Sequence, residues 1–140
     1  MPITTDGGLG DLLDYQRIAV VGCSSTPGKA AHDVPAYLRK HGYEIHPVNP
    51  YADEIFGVEP ADSLAEVDAE IDLVNVFRPS DEVPGIVDEV LDRRESRGDV
   101  QAVWLQLGIS HDEAAARAEE AGLRVVQDRC MKVEHGRLRG

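Results

Sequence analysis

The chain has 140 residues with 26 acidic and 14 basic side chains, which gives a formal net charge of −12. This charge argues against nucleic acid as a partner, because binding to a phosphate backbone needs a basic surface. Two cysteines are too few for a disulfide framework or an all-cysteine zinc site, and no segment approaches the roughly 20 apolar residues of a membrane helix. We therefore expect one cytoplasmic domain, residues 1–140, without a metal site or a membrane contact.

Predicted strands and helices alternate along the chain. An N-terminal helix over Leu9–Tyr15, within residues 1–16, is expected to form a lid on the sheet edge. Five apolar runs predict buried strands at 18–21, 43–48, 71–77, 102–107 and 123–127. A helical pattern or a helix-capping sequence follows each of the first four strands. Residues 129–140 show no clear period and are expected to form an irregular tail.

This alternation predicts a Rossmann-like, doubly wound parallel sheet of about five strands in a single three-layer α/β/α domain. Ligands of such folds bind beyond the carboxyl ends of the strands, where the strand order reverses. The turns after the first four strands should therefore face one crevice. They contain Gly22–Lys29, Asn49-Pro50, Phe77–Pro79 and Gln106–Gly108.

The first of these turns is predicted to bind a phosphate group. The apolar run Ile18–Val21 ends at Gly22 and opens into small, polar residues that reach Lys29. Small residues let the backbone approach an anion closely, and free N–H groups with the dipole of the next helix supply positive potential. The first 50 residues carry five acids and four Lys or Arg, so the turn lies in the nearly neutral part of the chain. The acidic remainder is equally typical of a surface that stays hydrated at high salt, as in halophiles.

The turn departs from the common nucleotide-binding motifs. Ser24 and Pro27 stand where the second and third glycines of G-x-G-x-x-G belong, and the second strand ends at Asn49 instead of the acidic residue that binds the ribose of NAD. A P-loop is also disfavoured, since Lys29 is followed by Ala30 and not by a Ser or Thr that would bind magnesium. These departures argue against NAD and against P-loop chemistry.

Several short motifs together resemble the stand-alone CoA-binding proteins related to the N-terminal domain of the succinyl-CoA synthetase alpha subunit. In chain order they are Val20–Ser25 with Pro27 and Lys29, Val48–Pro50, Val76–Pro79, Trp104–Gly108 and Asp128–Lys132. The similarity runs from about Ile18 to the end of the chain. The resemblance implies a Rossmann-like fold with coenzyme A, or an acyl-CoA, as the ligand.

CoA carries a pyrophosphate, a 3′-phosphate and a long pantetheine arm. Gly22–Ser25 are expected to meet the pyrophosphate, and Lys29 and Arg78 to neutralise phosphates. Asn49 stands where a carboxylate would repel the 3′-phosphate. Pro50, Val76 and Phe77 are expected to flank the adenine or the pantetheine. The full predicted set of cofactor-binding residues is Gly22, Cys23, Ser24, Ser25, Lys29, Asn49, Pro50, Val76, Phe77, Arg78, Gln106 and Gly108.

Several of these residues also have an ordinary structural explanation. For Lys29 and Arg78 the alternative is a solvated surface charge. For Phe77 it is a core position at the end of a buried strand, and for Gln106 and Gly108 it is a turn that only starts a helix.

Cys23 and Cys130 both follow strands at the carboxyl edge of the sheet. In a sheet of order 3-2-1-4-5 the first and fifth strands lie about 9–10 Å apart, beyond the Cα separation of about 7 Å that a disulfide spans. Only a flexible tail after Asp128 could then bring Cys130 close to Cys23. We expect Cys23 to be a small buried thiol. Cys130 and His135 lack a third partner for catalysis or for metal binding, so no catalytic residue and no metal ligand is assigned.

The leading functional hypothesis is a non-catalytic CoA-binding module, acting as a carrier, a sensor or a partner subunit. The synthetase relatives use a histidine in a separate domain for phosphoryl chemistry, and we expect no such catalysis here. A homodimer and an enzyme partner both stay open. The alternatives are an NAD(P)-binding, oxidoreductase-like protein, a CoA-linked acyl or thiol enzyme that uses Cys130, and an interaction domain without a ligand.

Overall fold

The chain forms five parallel strands and five α-helices, and the computed structural model describes all residues from 1 to 140. Helices and strands alternate except between the second and third strands, where the only helical segment is a 3₁₀ turn over Leu64–Glu66. The strands are β1 (Arg17–Val21), β2 (Glu44–Val48), β3 (Leu73–Val76), β4 (Ala102–Leu105) and β5 (Arg124–Val126). The helices are α1 (Asp6–Leu13), α2 (Ala30–Lys40), α3 (Val83–Arg97), α4 (Asp112–Glu120) and α5 (Met131–Leu138). This architecture confirms the predicted Rossmann-like α/β fold with a five-stranded parallel sheet. None of the helices combines the length and the apolar character needed to cross a membrane.

The strand order is β2-β1-β3-β4-β5, so the order 3-2-1-4-5 assumed above is wrong. All four residues of β3 are buried, which suits a strand in the interior of the sheet. β2 starts with one exposed and two half-buried residues and contains Pro47, which cannot donate a ladder hydrogen bond and is tolerated at an edge. As a result two strands, β3 and β4, separate β1 from β5.

Helices cover both faces of the sheet and bury two separate apolar cores. On one face α3 and α4 enclose a core that includes Val74 and Val87. On the other face α1, α2 and α5 enclose a core that includes Leu12, Trp104 and Met131. The sheet therefore forms the middle of three layers.

The N-terminal helix α1 lies on a face of the sheet, whereas the sequence predicted a lid on its edge. It is anchored by three fully buried leucines, Leu9, Leu12 and Leu13. The helix begins at Asp6 because the side chain of Thr5 caps its first turn. The segment before it does reach the sheet edge, where the N–H of Ile3 donates to the carbonyl oxygen of Val125 at 2.8 Å.

The expectation of an irregular tail over 129–140 is wrong, because most of this segment forms α5. The buried residues of α5 are Met131, Glu134 and His135. Two of these three are polar, which hides the helical period from a pattern of hydrophobicity. Arg137 pairs with Asp6 of α1 at 2.9 Å, and the hydroxyl of Tyr37 in α2 lies 2.8 Å from Nδ1 of His135. Polar contacts with its neighbours therefore accompany the docking of this helix.

A buried ion pair ties α3 to the segment before β3. The side chains of Arg93 and Asp99 are only 1% and 6% exposed, and they lie 3.0 Å apart. Arg93 also donates to the carbonyl oxygens of Leu64 and Val67, and Asp99 accepts from the N–H of Ile71. Burial acts to raise the pKa of the Asp99 carboxyl, but the hydrogen bonds outweigh it and the pKa lies below its ordinary value.

We expect Arg93→Ala to lower the free energy of unfolding by about 3–5 kcal/mol, because it leaves Asp99 buried without its partner. Urea unfolding at pH 7 measures the loss. The matched control is Arg97→Ala on the same helix, where the arginine is exposed and should contribute less than about 1 kcal/mol. Because the folded state lowers the Asp99 pKa, its stabilisation is complete above the unfolded pKa and is lost as the pH falls through the folded pKa. Equal losses for the two variants at pH 7 would contradict this role.

Candidate functional site

The carboxyl ends of β1, β2 and β3 meet at one level of the sheet. Val21 pairs with Val48 on one side and with Val76 on the other. α2 follows β1 and α3 follows β3, and these two helices lie on opposite faces of the sheet. The segments that lead from β1 to α2 and from β3 to α3 therefore run to opposite faces of the sheet, and a crevice lies at the point where the strand order reverses.

A cavity of about 290 Å³ occupies this crevice. Four residues of the predicted set line it, namely Gly22, Asn49, Pro50 and Arg78. The other lining residues come from the strand ends, from the loop after β2, and from α3 with the turn before it. They are Val21, Val48, Tyr51, Asp62, Ser63, Leu64, Glu82, Ile86 and Glu89.

Two sequence signals could have identified part of this wall. Ile86 belongs to the apolar face of α3 that the periodicity predicts, and Glu82 follows Arg78 at the i, i+4 spacing of helical ion pairs. The loop over 51–63 has no period. It reaches the cavity because Ala61 forms a bridge beside the end of β2, a contact between distant residues that no local pattern encodes.

Gly22 lets the turn after β3 pack directly against the turn after β1. Its φ of +84° lies in the region that favours glycine. Its N–H donates to the carbonyl oxygen of Val48 at 3.0 Å, which extends the pairing of β1 with β2. A Cβ at this position would stand 2.8 Å from Cδ of Arg78 and 3.2 Å from the carbonyl oxygen of Phe77. The close approach therefore requires a residue without a side chain.

The turn after β1 keeps two free backbone donors. The Ser24 hydroxyl accepts a hydrogen bond from the N–H of Thr26 at 3.0 Å, which folds the turn onto itself. The N–H groups of Cys23 and Ser25 donate no hydrogen bond within the chain. Such N–H groups close to the start of a helix attract anions. The turn is therefore suited to a phosphate group.

Asn49 ties the turn after β2 to the turn after β1. Its amide Nδ2 donates to the carbonyl oxygen of Cys23 at 2.8 Å. Its Oδ1 accepts from the N–H groups of Tyr51 and Ala52 at 2.8 and 3.2 Å. An aspartate could make only the second set of contacts, because a carboxylate does not donate. Asparagine thus has a structural reason to stand here.

Arg78 is the one Lys or Arg that lines the cavity, beside the carboxylates of Asp62, Glu82 and Glu89. Its Nε donates to Oε1 of Glu82 at 3.1 Å and its Nη2 donates to Oε2 at 2.7 Å. These hydrogen bonds raise the pKa of Arg78. Partial desolvation raises the pKa of the Glu89 carboxyl. The excess of acid makes the cavity itself unfavourable for a phosphate, except beside Arg78.

The other predicted residues of the first turn and of β3 lie outside the cavity. The side chains of Cys23 and Val76 are fully buried in the two cores and face no ligand space. Burial raises the pKa of the Cys23 thiol to about 12, so the thiol stays protonated at neutral pH. Ser24 is half-buried, and Ser25 and Lys29 are exposed along the turn.

Phe77, Gln106 and Gly108 also lie outside the cavity lining. Phe77 is half-buried and packs against the core beneath α1, α2 and α5. The buried Gln106 accepts the N–H of Met131 at 3.2 Å, and the N–H of Gly108 donates to the Asp128 carboxylate at 2.6 Å. These bonds give both residues a structural role near the start of α5.

Both cysteines are free thiols in the structure. Cys130 is half-buried and directly precedes α5. Two strands lie between β1 and β5, so these two strands are further apart than the order 3-2-1-4-5 implied. No group of three or more His, Cys, Asp or Glu side chains is arranged to hold a metal ion.

Comparison with protein families and sequences gives a consistent result. The family model for the CoA binding domain matches residues 16–136. The uncharacterized protein YneT of Bacillus subtilis is 43% identical over 120 residues, which are 86% of this chain and 85% of that protein. The ADP-forming acetate–CoA ligase II of Archaeoglobus fulgidus is 29% identical over 128 residues, which are 89% of this chain but only 18% of the ligase.

Solved structures show the same two kinds of relative. A hypothetical protein from Pyrococcus horikoshii OT3 superposes with a TM-score of 0.90 and 35% identity, over 100% of this chain and 97% of that one. The dinucleotide forming acetyl-coenzyme A synthetase 1 of Ca. Korarchaeum cryptofilum gives a TM-score of 0.69 and 26% identity. That match covers 84% of this chain and 26% of the synthetase. The fold thus occurs both as a separate small chain and within longer ones.

We expect Gly22→Ala to lower the free energy of unfolding by about 2–4 kcal/mol, because the new methyl meets Arg78 and Phe77 and φ is positive. Thermal and urea unfolding measure the loss. Gly28→Ala is the matched control, since its φ is +96° and a Cβ there meets nothing within 4 Å. The control should show only the backbone strain of about 1 kcal/mol. An equal cost at both positions would contradict the close approach at Gly22.

Proposed function

The chain belongs to the CoA binding domain family, and we propose that it binds coenzyme A or an acyl-CoA at the carboxyl ends of β1, β2 and β3. The observation that carries this proposal is the glycine turn after β1, which packs against Arg78 and borders a cavity at the switch point of the sheet. Ligands of doubly wound sheets bind at this point.

The pyrophosphate of CoA is proposed to lie over the turn after β1. The free N–H groups of Cys23 and Ser25 supply two donors, and the Arg78 guanidinium supplies a fixed charge. Lys29 stands exposed before α2 and forms no ion pair in the structure, which leaves its ammonium free for the 3′-phosphate. Two cations and two free N–H groups then face the charged part of the ligand.

The cavity is proposed to take an uncharged part of CoA, the adenine or the upper pantetheine. Pro50, Leu64 and Ile86 offer apolar surface, while the three carboxylates of the lining accept hydrogen bonds from amino and hydroxyl groups. About 290 Å³ lies at the lower limit of pockets that hold drug-sized ligands. The rest of the ligand therefore extends outside the cavity. Phe77, Gln106 and Gly108, at the ends of β3 and β4, are proposed to border its pantetheine arm.

The protein is proposed to act as a non-catalytic module or as a partner subunit. The Cys23 thiol is buried and stays protonated at neutral pH, so it supplies no nucleophile. The acetate–CoA ligase of Archaeoglobus fulgidus contains a matching segment within a much longer chain. A separate chain with this fold could hold CoA for an enzyme formed by other polypeptides.

We expect the purified protein to bind CoA about fivefold more tightly than dephospho-CoA, because only CoA carries the 3′-phosphate for an exposed lysine. Isothermal titration calorimetry with CoA, dephospho-CoA and NAD measures the three affinities. NAD binding without CoA binding would overturn the proposal in favour of an oxidoreductase-like protein. No binding of any of the three would favour an interaction domain.

Two variants separate the phosphate contacts. Arg78→Ala should weaken CoA and dephospho-CoA alike by about tenfold, because both carry the pyrophosphate. Lys29→Ala should remove the preference for CoA and leave the affinity for dephospho-CoA unchanged. Lys40→Ala, which removes an exposed lysine at the far end of α2, is the control and should change neither. Unchanged CoA affinity in both Arg78→Ala and Lys29→Ala would contradict the assigned charges.

A further inference from the structure

We propose that Glu82 competes with the ligand for Nε and Nη2 of Arg78, so that a phosphate can take this pair of donors only after the Arg78–Glu82 ion pair opens. This inference rests on the proposed function and concerns its control by a residue outside the predicted site. In the structure Glu82 occupies both donors of one edge of the guanidinium, Nε and Nη2, which an anion could otherwise take.

The Glu82 carboxylate binds Arg78 in the way that a phosphate would. Two hydrogen bonds, from Nε at 3.1 Å and from Nη2 at 2.7 Å, join Arg78 to the two carboxylate oxygens of Glu82. This is the fork-to-fork arrangement that arginine also uses for phosphates. A phosphate that takes the same donors must therefore displace the carboxylate.

The Arg78–Glu82 pair is exposed to solvent, so a phosphate can reach Arg78 and replace Glu82. The side chains of Arg78 and Glu82 remain 47% and 44% exposed, so the carboxylate can turn into water after release. Glu82 ends the short 3₁₀ turn before α3 and forms no other hydrogen bond or ion pair through its side chain. When Glu82 is released, the only interaction lost is therefore its ion pair with Arg78.

Glu82 competes with the pyrophosphate of the ligand for Arg78. The Arg78 side chain lies against Gly22, with Cδ 2.8 Å and Cγ 3.2 Å from the position of a Cβ there. This contact holds the arginine beside the turn that carries the free N–H groups of Cys23 and Ser25. The same phosphate can then meet the turn and the arginine, and that phosphate belongs to the pyrophosphate which CoA and dephospho-CoA share.

The size of the effect follows from linkage. When a binding-competent form is only partly populated, the apparent affinity falls by the populated fraction. The equilibrium constant between the closed and the open form of an exposed ion pair is at most about five, so removal of Glu82 should raise the affinity by about three- to sixfold. The exposed position makes Glu82→Gln compatible with folding, which circular dichroism verifies.

The test is a double-variant cycle measured by titration calorimetry with CoA and dephospho-CoA. The proteins are the wild type, Glu82→Gln, Arg78→Ala and the variant that combines both. Asp81→Asn is the matched control, because it removes the same charge from the neighbouring residue, which does not hydrogen-bond to Arg78.

When Arg78 is present, we expect Glu82→Gln to raise the affinity for CoA and for dephospho-CoA by about three- to sixfold. In the Arg78→Ala background the same substitution should raise these affinities by less than twofold. The control Asp81→Asn should also change them by less than twofold. Equal gains with and without Arg78 would overturn the inference, since general repulsion of the phosphates would then explain them. A gain for CoA alone would overturn the pyrophosphate assignment. If the wild type binds CoA and Glu82→Gln has the same affinity, only this inference is overturned. If neither protein binds CoA, the proposed function is overturned as well.

Discussion

The close approach of Gly22 to Arg78 is the contact on which the crevice depends. Gly22, which has no Cβ and a positive φ, directly follows β1, so the turn after β3 can pack directly on the turn after β1. Asn49 then joins the turn after β2 to the same place through the carbonyl oxygen of Cys23. Three strand ends that are far apart in sequence become one surface. The shape of the candidate site is therefore a backbone property that one glycine makes possible.

The surroundings of this contact carry few basic side chains, as expected in a chain of net charge −12. The cavity wall carries one arginine against three carboxylates. Free N–H groups of the first turn offer anion binding without adding a basic side chain. The arrangement suits a ligand whose charged and uncharged parts lie side by side. It also explains why an ion pair at the edge of the cavity can control the affinity for an anion.

Much of the fold could be predicted from the sequence because its signals are local. Buried strands and α3 have apolar patterns of their own, and the glycine turn follows directly from β1. Strand order depends on contacts between distant residues, so local patterns do not predict it. In the structure the fully buried β3 lies inside the sheet, and β2, which contains Pro47, lies at its edge. α5 was missed because its buried face includes Glu134 and His135. In the site, the loop wall requires the assembled structure, because it depends on the bridge between Ala61 and Val48. Gly22 and Asn49 lie at the strand ends where their motifs predict them, and the i, i+4 spacing of Arg78 and Glu82 is a local signal for their ion pair.

The measurement that tests the central claim most directly is a ¹H–¹⁵N NMR titration of the protein with CoA. The account predicts that the largest shifts occur at the backbone amides of Cys23 and Ser25 and at Nε of Arg78, with smaller shifts at Asn49. Amides at the opposite end of the sheet, such as that of Asp72, should not move. Shifts concentrated at that opposite end, or a spectrum unchanged by CoA, would contradict a CoA site built on the contact between Gly22 and Arg78.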